Sequence, residues 1–223
     1  MRSDYKHYRN SKEPGRSTFF TTTILDFVMV FADPSNADLM AASLLDDLRF
    51  YGAELWAFVV MGHHIHLLAV PPESMNASKL MEGVKGRAAR RIVPHLSDDL
   101  RAKLSVQKGL NKRSMWKVRF RSVPIINKRM FNQKVNYIHA NPVRAGLCER
   151  AQDFRWSSSW MYHAGKFDWD RGIIIDDELI RFFCEPELLK LGMKPRKPPI
   201  HPSTEGDFYD SEDLRLEEEL PKA

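Results

Sequence analysis

The spacing of apolar and polar residues predicts an alternation of strands and helices over the N-terminal two thirds of the chain. Alternating or continuous apolar runs indicate strands, and apolar residues three or four apart indicate amphipathic helices. In chain order the pattern predicts a strand at Thr18–Val30, a helix at Ala37–Tyr51, strands at Glu54–Met61 and His64–Val70, a helix at Asn76–Val93, a strand at Met115–Ile126 and a helix at Asn127–Asn141. This order is that of the split βαβ, or ferredoxin-like, arrangement, an α+β fold with helices on one face of an antiparallel sheet.

Local signals set the ends of several elements. Gly62-His63 is all that separates the second and third strands, a length that suits a tight hairpin in which Gly62 supplies a positive φ. Pro142 is expected to end the last helix at Asn141, because proline disfavours helical geometry in the residue before it. A short helix and a loop are expected between Pro94 and Asn111.

The amino-acid composition of the chain changes after Tyr162. Asp176–Leu191 has the pattern of one more amphipathic helix, residues 194–202 are rich in proline, and residues 205–223 are acidic. Linkers and acidic tails of this kind are often disordered. We therefore expect one domain over residues 1–165 and a C-terminal region over residues 166–223, with Trp156 and Trp160 packing that region onto the domain.

Composition narrows the class of protein. Hydrophobic residues make up 43% of the chain and charged residues 28%, as in soluble globular proteins. No apolar run approaches the roughly 20 residues of a membrane-spanning helix, and the polar N-terminus does not look like a secretory signal. The two cysteines, Cys148 and Cys184, lack metal-site spacing. The expected location is a bacterial-type cytoplasm, in association with the nucleoid.

The charges are unevenly distributed along the chain. Residues 1–165 carry 25 Lys and Arg against 14 Asp and Glu, whereas residues 166–223 carry 9 against 15. Within the first part, Lys85 to Lys134 holds 15 basic residues against Asp98 and Asp99 alone. A basic run is often a solvated helix face, but an excess of this size favours a polyanion such as nucleic acid as partner.

The hairpin contains the first candidate site. Side chains alternate along a strand, so His64 and His66 project from the same face and could hold one metal ion. The alternative is a pair of structural histidines on a half-buried strand, and for His63 in the turn that alternative is the better one.

The second candidate lies at the end of the last helix. Tyr137 and Asn141 are four residues apart and so share a helical face, although a tyrosine on an amphipathic helix is more often part of the core. Three basic residues on the preceding strand could bind phosphates: Lys117, Arg119 and Arg121. The aromatic residues between them, Trp116 and Phe120, are better explained as core.

These motifs resemble those of the REP-associated tyrosine transposases, relatives of the small single-tyrosine HUH transposases. The resemblance covers about Phe19 to Tyr162 and is carried by four segments: Ala57–Leu68 with its His-Ile-His, Lys85-Gly86, Tyr137–Leu147 with its Tyr-Ile-His-Ala-Asn-Pro-Val-Arg-Ala-Gly-Leu, and Asp153–Ser158. Gly62-His63 departs from the Pro-Asn that usually precedes the paired histidines in this family, but the ligand pair itself is intact.

The resemblance implies an HUH-endonuclease type of fold and a transposase that cuts single-stranded DNA beside hairpin (REP-like) elements. In such an enzyme, Tyr137 would be the nucleophile that forms a 5′-phosphotyrosine link. The ligands of a Mg²⁺ or Mn²⁺ ion would be His64, His66 and Asn141. The family favours a monomer, with a homodimer possible. Nucleic-acid contacts are expected from the basic residues Lys85, Arg87, Arg90, Arg91, Lys117, Arg119, Arg121 and Arg144. Two alternatives stay open: a hairpin-binding protein that has lost cleavage, and a metal-dependent hydrolase that uses water.

Overall fold

The computed structural model describes residues 14–104 and 114–184. The proline-rich linker, the acidic tail, residues 185–191 of the last expected helix and part of the basic run (Lys108, Lys112 and Arg113) lie outside these residues. The strands are β1 (Thr18–Thr23), β2 (Glu54–Met61), β3 (His64–Val70), β4 (Arg121–Pro124), β5 (Phe167–Asp168) and β6 (Gly172–Ile173). The helices are α1 (Pro34–Tyr51), α2 (Ala77–Ile92), α3 (Asp98–Lys103), α4 (Lys128–Arg144) and α5 (Asp177–Cys184).

The main sheet is antiparallel and has the strand order β2-β3-β1-β4, which confirms the α+β, ferredoxin-like prediction. Helices nevertheless cover both of its faces, so the expectation of helices on one face was wrong. The core on one side, which includes Phe20, Phe58 and Leu67, is closed by α1, α2 and α5. The opposite core, around Val59 and Leu68, is closed by α4. Strands β2 and β3 are buried at nearly every position, and an apolar surface on both faces must be covered twice.

The bounds of β2 and β3 agree with the prediction, whereas the outer strands are shorter than predicted. The first strand ends at Thr23 and is followed by two 3₁₀ turns. Asp26 and Phe27, both in the first turn, have positive φ. The predicted strand Met115–Ile126 is reduced to β4, preceded by a single bridge between Trp116 and Ile24. Between the bridge and β4, the carbonyls of Lys117 and Val118 accept hydrogen bonds from the Lys85 ammonium, so the period-two pattern there does not extend the ladder.

Two local expectations, one about the end of α4 and one about the β2–β3 turn, were also wrong. Helix α4 continues through Pro142 to Arg144, because a proline in the last turn removes only one intrahelical hydrogen bond and the amide of Ala145 still donates to the Asn141 carbonyl (3.0 Å). Gly62 does not have a positive φ. A Cβ atom at Gly62 would instead stand 2.4 Å from the terminal methyl of Met29, so the missing side chain permits a close approach.

The described part of the C-terminal region packs onto the same core. The β5–β6 hairpin lies against β2 and α5 lies against α1, and both contribute buried residues, among them Ile173, Leu179 and Phe183. The Trp160 ring lies 4.9 Å from the Phe182 ring, which confirms the expected packing of this tryptophan. The domain boundary at residue 165 stays a prediction. No helix in residues 14–104 or 114–184 is both long and apolar enough to cross a membrane.

A buried hydrogen-bonded pair holds α4 to the edge of the sheet. The backbone of Ser158 donates to the Phe58 carbonyl (2.9 Å), and its hydroxyl accepts from the Phe58 amide (2.9 Å). The same hydroxyl is 2.8 Å from Nε2 of His139 on α4. Burial lowers the pKa of His139 to about 3, so the ring is neutral at pH 7. The position of α4 therefore depends on this contact as well as on apolar packing.

Replacing Ser158 with alanine is expected to destabilise the protein. Ser158→Ala leaves the buried His139 nitrogen and the Phe58 amide without the hydroxyl, and an unsatisfied buried polar group costs about 1–3 kcal/mol. Urea unfolding should show this loss in the free energy of unfolding. The exposed Ser35 provides the control, because Ser35→Ala should change the value by less than about 0.5 kcal/mol. Equal values for the two variants would contradict the anchoring role.

Candidate active site

The register of the sheet places the two predicted metal ligands side by side. Thr21 of β1 pairs with His66, and Thr23 pairs with His64, so all four side chains project from the face that α4 covers. The centroids of the His64 and His66 rings are 4.8 Å apart. The ring of His63, in the turn, lies 4.6 Å from that of His64.

The surroundings of His64 and His66 keep both imidazoles neutral. Burial, followed by the charge of His63, lowers the pKa of His64 to about 4. Burial, followed by the charges of His64 and Lys134, holds the pKa of His66 well below its usual value. A neutral imidazole has a lone pair to offer, which is the form that binds a metal ion.

The hydrogen bonds of the two rings leave nitrogen atoms available. Nδ1 of His66 lies 2.8 Å from the Thr21 hydroxyl, so Nε2 is the nitrogen left for a ligand. Nδ1 of His64 is buried and has no hydrogen-bond partner among the described residues. Buried polar atoms without partners are rare in folded proteins and often mark a bound ion or water. The pair therefore fits a cation that coordinates imidazole nitrogen.

Helix α4 brings Tyr137 to the histidines. The ring of Tyr137 meets the His66 ring edge to face, with centroids 5.1 Å apart. Phe19 of β1 contacts both, at 5.5 Å from His66 and 5.8 Å from Tyr137. A tyrosine more than seventy residues away in sequence thus shares one site with the hairpin.

Asn141 lies one helical turn after Tyr137 and is half-buried. Its Nδ2 donates to the Tyr137 backbone carbonyl at 2.7 Å. A carbonyl only accepts, so the amide nitrogen must face it and the amide oxygen is left for another partner. Two imidazole nitrogens and one amide oxygen form a donor set that a divalent cation such as Mn²⁺ can use. The described residues contain no group of three or more His, Cys, Asp or Glu placed to hold a metal.

One cationic residue at the site was not singled out from the sequence. Nζ of Lys134 lies 5.5 Å from the centroid of the Tyr137 ring and 5.2 Å from that of Phe19. Its spacing of three residues before Tyr137 places both on one side of α4, and that spacing was the signal that could have identified it. A cation here can stabilise negative charge that develops on a phenol or a phosphate.

Residues 38–141 match the family model described as transposase, IS200-like. This segment of the chain is therefore similar to the IS200-like transposases. Members of this family process DNA and generally use a divalent metal ion.

Two solved structures show how far the similarity extends. One is a REP-associated tyrosine transposase bound to a REP hairpin, and its sequence is 21% identical to this chain. The match covers 76% of this chain and 93% of the neighbour's chain, and its TM-score of 0.56 supports a shared fold. The other, a candidate transposase from Deinococcus radiodurans R1, is 19% identical over 62% of this chain and 95% of its own, with a TM-score of only 0.41. No curated protein sequence matches the chain significantly.

Three of the expected nucleic-acid contacts are engaged within the transposase fold. Arg87 pairs with the fully buried Asp47 (2.5 Å), and Arg91 pairs with Asp46 (2.5 Å) and Asp47 (3.3 Å). These pairs join α1 to α2, across the sheet from Tyr137. The ammonium of Lys85 donates to the carbonyls of Lys117 (2.8 Å) and Val118 (3.1 Å). The two arginines are already ion-paired and the lysine is already hydrogen-bonded within the protein, which weakens the expectation that they bind DNA.

The other basic residues are differently placed. Arg121 pairs with Thr21, whose other neighbour is His66, so it lies on the active-site face of the sheet two strands from the metal-ligand candidate. Arg90, Arg119 and Arg144 are exposed, and Lys117 is half-buried. Arg121 on β4 and Lys134 on α4 thus lie on the histidine side of the sheet, whereas the paired Arg87 and Arg91 of α2 lie on the other.

Replacing His64 should weaken binding of a divalent ion. His64→Gln removes the imidazole that carries the unpartnered Nδ1, and affinity for Mn²⁺ measured by isothermal titration calorimetry should fall by at least about tenfold. The exposed His163 serves as control, since His163→Gln should leave the affinity unchanged. Equal Mn²⁺ affinity in both variants would exclude His64 as a ligand.

Proposed function

We propose that this protein is a transposase-like, metal-dependent single-strand DNA endonuclease and strand transferase that acts beside DNA hairpins. The observation that carries the proposal is the cluster of His64, His66 and Tyr137, in which the tyrosine ring lies 5.1 Å from a neutral, buried imidazole. The proposed nucleophile is Tyr137. The proposed metal ligands are His64, His66 and Asn141, and the proposed ion is Mg²⁺ or Mn²⁺.

The chemistry is a transesterification. The Tyr137 hydroxyl attacks the scissile phosphorus, an O–P bond to tyrosine forms, and the bond from phosphorus to the 3′ oxygen breaks. The phenol proton is lost to solvent and the departing 3′ oxygen takes one up, which leaves a 5′-phosphotyrosine and a free 3′-hydroxyl. Attack by another 3′-hydroxyl reverses these changes, so strand transfer needs no nucleotide cofactor.

The surrounding groups match the charges of such a step. A divalent ion at the histidines would polarise the scissile phosphate and stabilise its added negative charge. Lys134 supports the same role from the other side, because its ammonium lies within 6 Å of the centroid of the Tyr137 ring. Phe19 packs against Tyr137 and His66 and excludes water from one side of both.

The proposed DNA partner rests on the similar solved structure and on the exposed basic side chains of this protein. The similar solved structure is bound to a REP hairpin, and the exposed cations Arg119, Arg121 and Arg144 provide phosphate contacts near the site. The histidines and the tyrosine that meet here belong to one chain, which supports a monomer with a complete site.

The decisive experiment looks for the covalent adduct. Labelled single-stranded DNA containing a hairpin is incubated with protein and Mn²⁺, then denatured and separated by electrophoresis. A labelled protein band is expected, and Tyr137→Phe should abolish it because the nucleophilic oxygen is missing. Tyr51 on α1 provides the control, since it lies on the opposite face of the sheet and Tyr51→Phe should keep the adduct.

Other outcomes would identify a different function. An adduct that persists in Tyr137→Phe would refute the assignment of the nucleophile. Cleavage without any adduct would favour a hydrolase that uses water, and binding without cleavage in either metal would favour a hairpin-binding protein.

The position of Arg121 leads to a separate prediction about salt. If Arg121 neutralises one phosphate, Arg121→Gln should weaken binding and reduce the slope of log affinity against log salt by about one. Fluorescence anisotropy between about 50 and 200 mM salt measures both quantities. Arg181, exposed on α5 beyond the opposite face, is the matched control, and a variant at Arg121 that behaves like Arg181→Gln would remove it from the DNA surface.

A further inference from the structure

An exposed aromatic ring stands beside the candidate active site in an unusual backbone conformation. Phe27 follows β1, is 51% exposed, and has a φ of +57° directly after Asp26 at +53°. Non-glycine residues are uncommon in the left-handed region, and for a bulky residue the conformation is strained. Such strain persists only where the surrounding structure holds it, and it clusters at binding and catalytic sites.

The backbone around Phe27 is tied to the hairpin that carries the histidines. The amide of Ile24 donates to the His63 carbonyl (2.7 Å), and the amide of Phe31 donates to the Gly62 carbonyl (2.8 Å). On the other side, the amide of Leu25 donates to the Met115 carbonyl at 2.9 Å. The turn that contains Phe27 is thus clamped between the metal-ligand hairpin and the segment that leads into β4.

A cation and a second aromatic ring frame Phe27. Nζ of Lys117 lies 3.3 Å from the centroid of the Phe27 ring, close enough for a cation–π contact. The His63 ring meets Phe27 edge to face at 5.6 Å and lies 4.6 Å from the His64 ring. Lys117 is held in turn, since its amide donates to the Thr23 carbonyl (2.9 Å) and its own carbonyl accepts from Lys85.

We infer that Phe27 and Lys117 form a subsite for one unpaired nucleotide of the DNA strand that is cleaved, with the base stacked on Phe27 and a neighbouring phosphate at Lys117. This rests on the proposed function, because it assumes a single-stranded DNA substrate. An exposed aromatic ring beside a basic side chain is the combination by which proteins hold single strands. Arg119, exposed two residues beyond Lys117, continues the positive charge along the expected path of the backbone.

The subsite also gives a role to His63, which with Gly62 stands where the family usually has Pro-Asn. His63 stands between Phe27 and His64, with its ring centroid 5.6 Å from that of Phe27 and 4.6 Å from that of His64. Its Nδ1 lies 3.4 Å from the sulfur of Met29, which is itself half exposed. These contacts make a continuous surface from the stacking ring to the metal ligands, along which a strand can run into the site.

The test uses the uncleavable Tyr137→Phe protein and a labelled hairpin with single-stranded flanks. A second change, Phe27→Asn, removes the ring but suits the backbone, because asparagine tolerates the left-handed region better than phenylalanine does. Affinity should fall by about tenfold, while the free energy of unfolding should stay the same or rise. Phe50→Asn is the control, since Phe50 is also exposed and carries Arg87 over its ring at 4.4 Å, but lies on α1; it should bind as the parent does.

A scan of the DNA strengthens the test. 2-Aminopurine placed at successive flank positions should be quenched at one position, and only while Phe27 is present. An abasic nucleotide at that position should lower the affinity of the parent by the same factor and leave Phe27→Asn unaffected. Unchanged binding by Phe27→Asn, with tight binding by the parent, would overturn the subsite alone. A parent that binds no single-stranded DNA would overturn the proposed function, and the subsite with it.

Discussion

The site depends on the register of β3 between β1 and β2. Side chains alternate along a strand, so a slip of one residue would send His64 and His66 to the opposite face and Ile65 and Leu67 to this one. The apolar face of β3 prevents that slip, because Ile65 and Leu67 are fully buried in the core beneath α1 and α2. The same burial that stabilises the sheet therefore decides which face carries the histidines.

The second requirement is that α4 lies on the histidine face. Ile138 is buried in the core that α4 shares with Val59 and Leu68, and the adjacent His139 is hydrogen-bonded to Ser158 at the edge of the sheet. Tyr137 precedes these two anchors and so has little freedom to move away from His66. The His139 that interrupts the Tyr-to-Asn motif is thus a structural residue, and its buried, neutral ring contributes position and not chemistry.

Local patterns were sufficient for elements whose contacts are close in sequence. The β2–β3 hairpin and the facing of His64 and His66 follow from alternation and a two-residue turn, and the Gly52 end of α1 follows from helical spacing. The proximity of Tyr137 to the hairpin depends on how α4 packs, which no local pattern contains, and only the family resemblance indicated it. The pairing of Arg87 and Arg91 with Asp46 and Asp47 depends in the same way on the packing of α1 against α2. Phe27 could not be identified at all, because its exposure and positive φ contradict what a phenylalanine inside the predicted strand Thr18–Val30 would suggest.

The energetics of the site point to binding and not to structural support. Removing an imidazole nitrogen from water without a hydrogen bond costs about 1–3 kcal/mol, and Nδ1 of His64 is buried with no hydrogen-bond partner among the described residues. Lys134 adds repulsion to any protonation of His66. A purely structural pair of histidines would be expected to satisfy its nitrogens, as His139 does through Ser158. The contrast between His64 and His139, on facing elements of one core, is the strongest physical reason to assign the first to a ligand and the second to the fold.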